Sequence, residues 1–456
     1  MRSSNSKSPL GGMILFGLVV AGGLFVYFST MFERDLPTVN VQSNGYWNLK
    51  QPIKIDIEDS SLIKSYKITL KTSAESIVLE EEQFLTPEGS ISLEVKPPRS
   101  AFAMKDKTMS IVVEANDASK WNFLNGNRVA KEFKLHIDKK RPHLNIVSNS
   151  YKISKGGSAL VIFKADDENL EEIYIQTSNE KTFKVQPFYK EGYFIALVAW
   201  PVKDRSFKAT VIAKDYAGNV AKSYIPLYLK QKNYKVSKIK LSDKFLKGKI
   251  ADLAYEFVET QGVEDPITQF KIINEDVRAK NEDLIHEITS KISDEMISDF
   301  KVNKMYPLRN GKVVAHFGDH RKYSYKGDKV SESYHLGLDL ASNAMAAIKP
   351  QNSGEVVYAD YNGIYGHMPV IDHGLGLYTL YGHCSSVKLN SDEHFNAKDT
   401  VANTGLSGYA MGDHLHFGVL VQGIEVRPQE WMDKDWIRLN IDDVIKSAKK
   451  TIDNIE

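Results

Sequence analysis

Alternating hydrophobic and polar residues dominate the first half of the chain. Runs such as Ile53–Ile57 and Ala209–Ala213 place an apolar side chain at every second position, and turn-forming pairs such as Asn125–Gly126 separate such runs. Because the side chains of a β-strand point alternately to its two faces, this period predicts short strands with one buried face. We therefore predict a mainly β, multidomain protein with two β-sandwich domains, residues 36–138 and 139–235.

The two predicted sandwiches are similar to each other in sequence. Leu36–Asn44 matches Arg141–Asn149, and Ile111–Asp117 matches Thr210–Asp215. The phrase Asp215–Asn219 resembles the later strands of bacterial immunoglobulin-like domains. Tandem sandwiches of this kind act either as spacers or as modules that bind a protein partner or cover an active site, and the sequence leaves both alternatives open.

The hydrophobic period becomes helical between residues 236 and 300. Apolar residues from Leu246 to Val258 recur at helical spacing, and Ser242 suits an N-cap. A second helix is predicted from Pro266 to about Val277, and a third from Asn281 to Phe300. The apolar stripes of these helices are interpreted as core, and the alternative is a hinge or lid beside a catalytic domain.

The N-terminus contains a long apolar stretch. Gly11 to Phe32 carries no charge, Arg2 and Lys7 precede it, and Glu33 follows it. A run of about 20 apolar residues is long enough to span a bilayer, and basic residues mark the cytoplasmic side. Residues 1–35 are therefore predicted to be a cytoplasmic N-terminus and a transmembrane helix. This predicts a single-pass protein of the inner membrane whose bulk is periplasmic, and a cleaved signal peptide is the alternative.

Composition and charge narrow the function classes. The chain has 456 residues, with 59 basic and 58 acidic side chains and a net charge of +1. A neutral chain without a basic region does not indicate a nucleic-acid partner. The single cysteine, Cys384, excludes an intramolecular disulfide. Because Cys384 falls in a predicted strand, we interpret it as a small buried hydrophobic residue and not as a reactive thiol.

Histidines are concentrated near the C-terminus. Of the twelve in the chain, nine fall between His316 and His416. His414 and His416 are two residues apart, so on a strand they face one side, roughly 7 Å apart. A straight strand would separate His335 from Asp339 by about 13 Å, which is too far for one ion, but Gly337 between them permits a bend. Imidazole and carboxylate are zinc ligands, so the pattern predicts a metal site.

Three motifs in order carry a family resemblance. They are His335-x-x-x-Asp339, Tyr381-x-His383 and His414-x-His416, and they resemble those of the LytM or lysostaphin-like zinc endopeptidases of bacterial cell walls. The resemblance implies an antiparallel β catalytic domain at residues 301–440, followed here by an amphipathic helix at 441–456. Carried over position by position, it makes His335, Asp339 and His416 the ligands of one Zn²⁺ per chain. It makes His383 and His414 the catalytic pair that handles protons.

The expected function follows from this resemblance. Tyr381 would point the same way as His383 along a strand and bind substrate through a hydrogen bond. The chain would hydrolyse peptide cross-links of peptidoglycan with a zinc-activated water, and the membrane would hold it through its N-terminal helix. The alternative is a LytM-like regulator that binds and activates another wall hydrolase without being an enzyme. We also expect the domains upstream of the catalytic domain to restrict access to its cleft.

Overall fold

The chain is mainly β and divides into two compact units. The computed structural model describes residues 9–455, apart from the side chains of residues 9–11, 101 and 102. The first unit comprises residues up to Pro142 with residues 168–171 and 214–220, and the second holds the remainder. The domain boundaries given above stay predictions.

The first unit is built on one sheet around two very long strands. Its elements are α1 (Pro9–Phe28), β1 (Thr38–Gln42), β2 (Tyr46–Trp47), β3 (Ile53–Lys71), β4 (Ser76–Val95), β5 (Thr108–Asp117), a short helical turn α2 (Trp121–Leu124) and β6 (Arg128–Ile137). The strand order is β1-β3-β5-β6-β2, and β4 pairs with the other edge of β3. Every second residue of β3 is buried at its two ends, so Ile55, Ile57, Ile68 and Leu70 form the core.

The prediction of a membrane-spanning helix is wrong for the described chain. Among the described residues, no helix combines the length and the apolar character that crossing a membrane requires. Arg2 and Lys7, on which the predicted orientation depended, lie outside the described residues. The structure therefore does not support a single-pass inner-membrane localisation.

The second unit begins with three small sheets. Their strands are β7 (His143–Asn149), β8 (Lys152–Ser154), β9 (Ser158–Asp166), β10 (Leu170–Thr177), β11 (Thr182–Lys184), β12 (Gln186–Pro187), β13 (Tyr193–Ala199), β14 (Ala209–Asp215), β15 (Val220–Tyr224) and β16 (Tyr228–Lys230). They form two four-stranded sheets, β11-β10-β14-β15 and β12-β13-β9-β7, and a parallel pair of β16 with β8. The core of this part comes from the apolar residues of β9 and β13, most of which are buried.

A helical stretch and a larger sheet complete the second unit. The strands are β17 (Val236–Lys240), β18 (Lys312–Ala315), β19 (His320–Tyr325), β20 (Asp328–Tyr334), β21 (Leu338–Ala341), β22 (Ala347–Ile348), β23 (Gly354–Tyr358), β24 (Val370–Asp372), β25 (Leu377–Gly382), β26 (Ser386–Val387), β27 (His394–Phe395), β28 (Ala402–Asn403), β29 (Leu415–Val421) and β30 (Ile424–Val426). The helices are α3 (Asp243–Phe245), α4 (Ala251–Glu256), α5 (Pro266–Ile272), α6 (Arg278–Ile288), α7 (Pro428–Trp431), α8 (Lys434–Ile437) and α9 (Asp443–Ile455).

The largest sheet has the order β18-β21-β29-β25-β24-β23-β27, with β30 added on β29. A second sheet has the order β17-β19-β20, and β17 pairs with β19 in parallel. Single π-helical turns continue three of the helices: Leu246–Ile250 joins α3 to α4, Ile273–Val277 joins α5 to α6, and Arg438–Asp442 joins α8 to α9.

The helices before the largest sheet share its core. Ile250, Phe270 and Ile273 are fully buried and belong to the same apolar cluster as Tyr365 and Leu380 of the sheet region. Their apolar stripes are therefore core, as the sequence indicated. Burial of one such side chain stabilises the fold by about 1.5–3 kcal/mol, so these helices are integral to the second unit.

The first residues of the helices agree with the sequence prediction more closely than their last residues do. The Ser242 hydroxyl accepts a hydrogen bond from Phe245 N at 3.2 Å, and Asp265 caps the helix that Pro266 opens. The predicted helix from Asn281 to Phe300 is wrong in two ways. It is continuous with the preceding helix, and it ends at Ile288, after which Ile297 forms a bridge to Phe188 of the small sheets.

Hydrogen bonds also join the small sheets to the C-terminal region of the same unit. The Gln422 side chain pairs with the backbone of Lys184 through bonds of 2.8 and 2.9 Å. Ser158 N donates to the buried Glu430 carboxylate at 3.2 Å, and the Ser150 hydroxyl donates to the Asn440 carbonyl at 2.9 Å. These strands are thus fixed to the largest sheet at several points.

Candidate metal centre

The candidate site lies where the chain passes from one sheet to another. β20 ends at Tyr334 and β21 begins at Leu338, and the residues between them bend at Gly337. This bend brings His335 and Asp339 together, as the sequence predicted. Across the sheet, Asp339 lies directly opposite His416 on β29. The largest sheet therefore places residues from two distant stretches of sequence at one point.

Three side chains converge at this point. His335 Nε2 lies 3.0 Å from Asp339 Oδ1, His416 Nδ1 lies 2.9 Å from the same oxygen, and the two ring nitrogens are 3.1 Å apart. All three residues are buried. We call His335, Asp339 and His416 the metal triad, since each offers one ligand atom and these atoms cluster within 4.8 Å.

The donor set of the triad fits zinc. Zinc binds imidazole nitrogen and carboxylate oxygen at about 2.0–2.2 Å in tetrahedral geometry, which places ligand atoms about 3.3 Å apart. The observed separations are close to this value. His335 Nδ1 lies 2.9 Å from the His316 carbonyl oxygen, which can only accept a hydrogen bond. The proton of His335 is therefore on Nδ1, and the lone pair of Nε2 is directed at the centre of the triad.

Two more histidines lie beside the triad. His383 and His414, which we call the histidine pair, have ring centroids 4.8 Å apart, and His414 Nε2 is 3.8 Å from Asp339 Oδ2. In both rings Nδ1 faces a backbone carbonyl: Ser407 O at 2.9 Å for His383 and Gly412 O at 2.6 Å for His414. Each Nδ1 therefore donates, which leaves each Nε2 free to accept a proton.

Local structure fixes the histidine pair. His414 comes just before β29 and bridges to Gly405, and the preceding Asp413 carboxylate accepts hydrogen bonds from Thr404 Oγ1 at 2.6 Å and Met345 N at 2.9 Å. His383 follows β25 with a left-handed backbone, φ +63°. This conformation is costly for a residue other than glycine, and such residues are concentrated at functional sites.

Burial sets the charge of the site. Burial raises the pKa of Asp339, but the charges and hydrogen bonds of His335 and His416 outweigh it and hold that pKa well below its usual range. Burial lowers the pKa of His416 to about 4, against the opposing hydrogen bond of Asp339. Burial and the neighbouring His416 and His414 lower the pKa of His383 well below its usual range. Ionised carboxylate and neutral imidazole are the forms that bind metal ions and accept protons.

The triad and the pair line one cavity of about 420 Å³. Its other walls come from residues that the sequence did not single out, among them Phe245, Arg278, Arg321, Tyr365 and Tyr409. Tyr365 packs edge-on against His416, with ring centroids 5.4 Å apart. Arg278 lies on α6 and Arg321 on β19, so no short motif connects them to the histidines. Only their tertiary position identifies them.

The expectation that Tyr381 and His383 share a face is wrong. Tyr381 is buried, its ring stacks on Phe417, and its hydroxyl accepts a hydrogen bond from Thr379 Oγ1 at 2.9 Å. It is not among the residues that line the cavity. The left-handed backbone at His383 ends the strand alternation on which the prediction depended. Tyr381 therefore lies outside the lining of this cavity, and its role in substrate binding stays a prediction.

The single cysteine and two histidines outside the site, His373 and His394, have structural or surface positions. Cys384 is fully buried, and burial raises the pKa of its thiol to about 12, so it is inert. The His373 ring is held between Ser353 O at 2.9 Å and Thr379 Oγ1 at 2.8 Å beside a turn. His394 is largely exposed.

Comparison with known proteins identifies the region that contains the site. A family model described as Peptidase family M23 matches residues 333–428, which include the triad and the pair. The Escherichia coli murein hydrolase activator EnvC is 30% identical over 98 residues, 22% of this chain and 23% of its own length. The Vibrio cholerae peptidoglycan DD-endopeptidase ShyB is 28% identical over 152 residues, 33% of each chain.

A solved structure, the catalytic domain of lysostaphin from Staphylococcus simulans, is 22% identical. The match covers 27% of this chain and 92% of the lysostaphin chain, with a TM-score of 0.23. The chain matches between about a quarter and a third of the length of the two curated relatives. The match to the family model shows that the C-terminal part of this chain carries a LytM-type M23 peptidase domain. The M23 family is zinc-dependent, and the names of relatives describe both enzymes and an activator.

Proposed function

We propose that the chain is a zinc endopeptidase that hydrolyses peptide cross-links of peptidoglycan, with one zinc bound by the metal triad. The observation that carries this proposal is the convergence of three ligand atoms, 2.9–3.1 Å apart, with the histidine pair beside them in one cavity. A storage or transport site would require the ligands alone. The pair has the added arrangement of a proton-transfer site, with each Nδ1 fixed and each Nε2 free.

The residues divide the chemistry between them. Bound zinc supplies a Lewis acid that polarises a carbonyl and lowers the pKa of water. Asp339 stays ionised and His416 neutral, so the triad offers the metal its ligands at neutral pH. His383, kept neutral by burial, accepts a proton from the attacking water. His414, next to it, completes the pair that returns a proton to the leaving amine.

A second candidate function is activation of another wall hydrolase without catalysis. It is favoured by the similarity to EnvC, whose name describes an activator. A regulator needs neither metal ligands nor proton-transfer groups. The complete triad and pair in one cavity therefore support the enzyme over the regulator.

Digestion of purified sacculi tests the proposal. The full chain, reconstituted with one equivalent of zinc, is expected to release soluble peptides with new amino termini, identified by mass spectrometry. Chelation and His383→Ala should each abolish release. If the zinc-loaded protein releases nothing but accelerates a separately added wall hydrolase, and His383→Ala does so equally well, the chain is a regulator.

A further inference from the structure

The cavity beside the triad carries an excess of positive charge. Lys240, Arg278 and Arg321 line it, whereas Asp339 is the one carboxylate among the described residues that do so. Asp339 belongs to the metal triad, so its charge is directed at a cation. The remaining lining consists of aromatic, aliphatic and histidine side chains together with Ser242 and Met411. The positive charge of this surface attracts an anionic group on a peptide, and an uncharged group gains no such electrostatic attraction.

Arg321 lies beside the metal triad. Its guanidinium lies 4.0 Å from Asp339 Oδ2 and 3.7 Å from Asp319 Oδ2, and its side chain is 25% exposed. Both distances exceed hydrogen-bond length. Asp319 is itself held by the Ser237 hydroxyl, which lies 2.8 and 2.9 Å from its two oxygens. Arg321 is thus oriented by charge at the edge of the cavity, while its N–H donors remain available to a ligand.

Arg278 also lines the cavity and is fixed more firmly. Its Nε donates to the Asn274 carbonyl at 3.2 Å and one terminal nitrogen donates to Asn274 Oδ1 at 3.1 Å. The other terminal nitrogen is 3.9 Å from Glu282. Tyr409 lies near both arginines: burial raises the pKa of its hydroxyl, and the charges of Arg278 and Arg321 oppose that rise. The two guanidinium groups therefore act on one region of the cavity.

We propose that Arg321, supported by the charge of Arg278, binds a free carboxylate on the peptide substrate close to the scissile bond. This inference rests on the proposed function, since it names the substrate class that the same cavity selects. Guanidinium is suited to this task because its planar N–H groups match a carboxylate in a bidentate arrangement. Peptides with a carboxylate at this position are preferred over the corresponding carboxamides.

Two synthetic cross-link peptides that differ only in this group, free acid or carboxamide, test the proposal. The zinc-loaded full chain is expected to show a kcat/KM about 10- to 100-fold higher for the acid, the range for a hydrogen bond to a charged partner. Arg321→Gln should remove the preference because it slows cleavage of the acid much more than cleavage of the carboxamide. Arg321→Lys should restore part of it. Arg309→Gln, at an exposed arginine outside the cavity, is the matched control.

Binding without turnover gives an independent readout. Calorimetric titration of the His383→Ala protein with both peptides should show tighter binding of the acid by a similar factor, and His383→Ala combined with Arg321→Gln should equalise them. Equal affinity and equal kcat/KM for acid and amide would overturn the carboxylate site. So would an Arg321→Gln variant that loses zinc and slows both peptides alike, because Arg321 would then only position Asp339. Absence of cleavage together with selective binding would instead contradict the proposed function alone.

Discussion

Replacing Gly337 with alanine should remove the metal from the site without a direct change to any ligand. Gly337 lies at the bend between His335 and Asp339, and it faces the ring of His416. A Cβ added at this position would lie 2.5 Å from His416 Cε1 and 3.0 Å from Cδ2, and closest of all to Nε2. The absence of a side chain at residue 337 is therefore what makes room for this imidazole.

The size of the effect follows from these distances. Carbon atoms in favourable contact are about 3.5–4.0 Å apart, so the ring or the bend must move by about 1 Å. The ring cannot move freely, because His416 is 6% exposed and lies between Tyr365 and His383. Zinc–ligand distances tolerate about 0.2 Å. A shift of 1 Å therefore breaks one ligand bond, and we expect zinc affinity to fall by at least about 100-fold.

Zinc affinity measured by competition with a fluorescent chelator checks this prediction, with thermal unfolding followed by circular dichroism to establish the fold. Crowding in a packed interior costs typically about 1–3 kcal/mol, so the variant should still fold. Gly248→Ala is the matched control. Gly248 lies in a helical turn with nothing within 4 Å of an added Cβ, so zinc affinity should not change. Stability should rise by up to about 1 kcal/mol.

A Gly337→Ala protein that binds zinc as tightly as the parent would refute the reasoning. It would mean either that His416 is not a ligand or that the bend relaxes at no cost. Alanine at His416 separates these outcomes, because it removes the imidazole itself. If that variant also keeps full zinc, the assignment of the triad is wrong.

The other predictions concern the triad, the pair and the packing of α6. Alanine at any member of the triad should abolish stoichiometric zinc after dialysis against a weak chelator, as measured by elemental analysis. Alanine at either member of the histidine pair should keep zinc but slow turnover by about 10²-fold or more; near-normal turnover would exclude that residue as a proton carrier. Burial lowers the pKa of His286, but the hydrogen bond and charge of Glu425, 3.0 Å away, more than offset it and raise the pKa overall. The stabilisation by this pair should be complete below the unfolded-state pKa of about 6.5 and lost as pH rises through the raised folded value. The melting temperature of the parent relative to His286→Gln should therefore fall with rising pH, and a pH-independent difference would contradict this.

Residues close in sequence explain most of what could be predicted about the site. His414 and His416 share a face because a strand has a period of two, and the buried Leu415 and Phe417 occupy the other face. Gly337 permits the bend because it lacks a side chain. Both inferences require only the local chain. The convergence of the two motifs depended on the family resemblance, since β21 and β29 are far apart in sequence.

The failures have tertiary causes. Tyr381 was assigned to the cavity by strand alternation, but a left-handed residue at His383 ends that alternation. Ile292 and Ile297 continue a helical spacing, which predicts that the third helix reaches Phe300. In the structure Thr289 ends the helix, its hydroxyl donating to Ile285 O at 2.6 Å, and Ile297 pairs with Phe188. Arg278 and Arg321 carry no motif, so only the folded chain brings them to the cavity.

The helices before the largest sheet share its core. This packing limits the experiments that can test whether the upstream residues restrict access to the cleft. Removing everything before residue 301 would strip Ile250, Phe270 and Ile273 from the core that they share with the largest sheet. Such a fragment would expose several buried apolar side chains and lose about 1.5–3 kcal/mol for each. If this fragment digested sacculi slowly, misfolding would explain the result. Slow digestion would then not show that the upstream residues are a spacer. A point change in the intact chain avoids this difficulty.

Phe245 is the residue for that change. It lines the cavity, stacks on Tyr409 with ring centroids 6.1 Å apart, and meets Phe270 edge-on at 6.3 Å. If the segment before the catalytic domain restricts access, Phe245→Ala should speed digestion of sacculi several-fold while cleavage of a short peptide stays constant, because only the bulky substrate must pass the wall. Phe245→Leu, which keeps most of the volume, is the control. Equal changes for both substrates would show that Phe245 supports the site and does not limit entry.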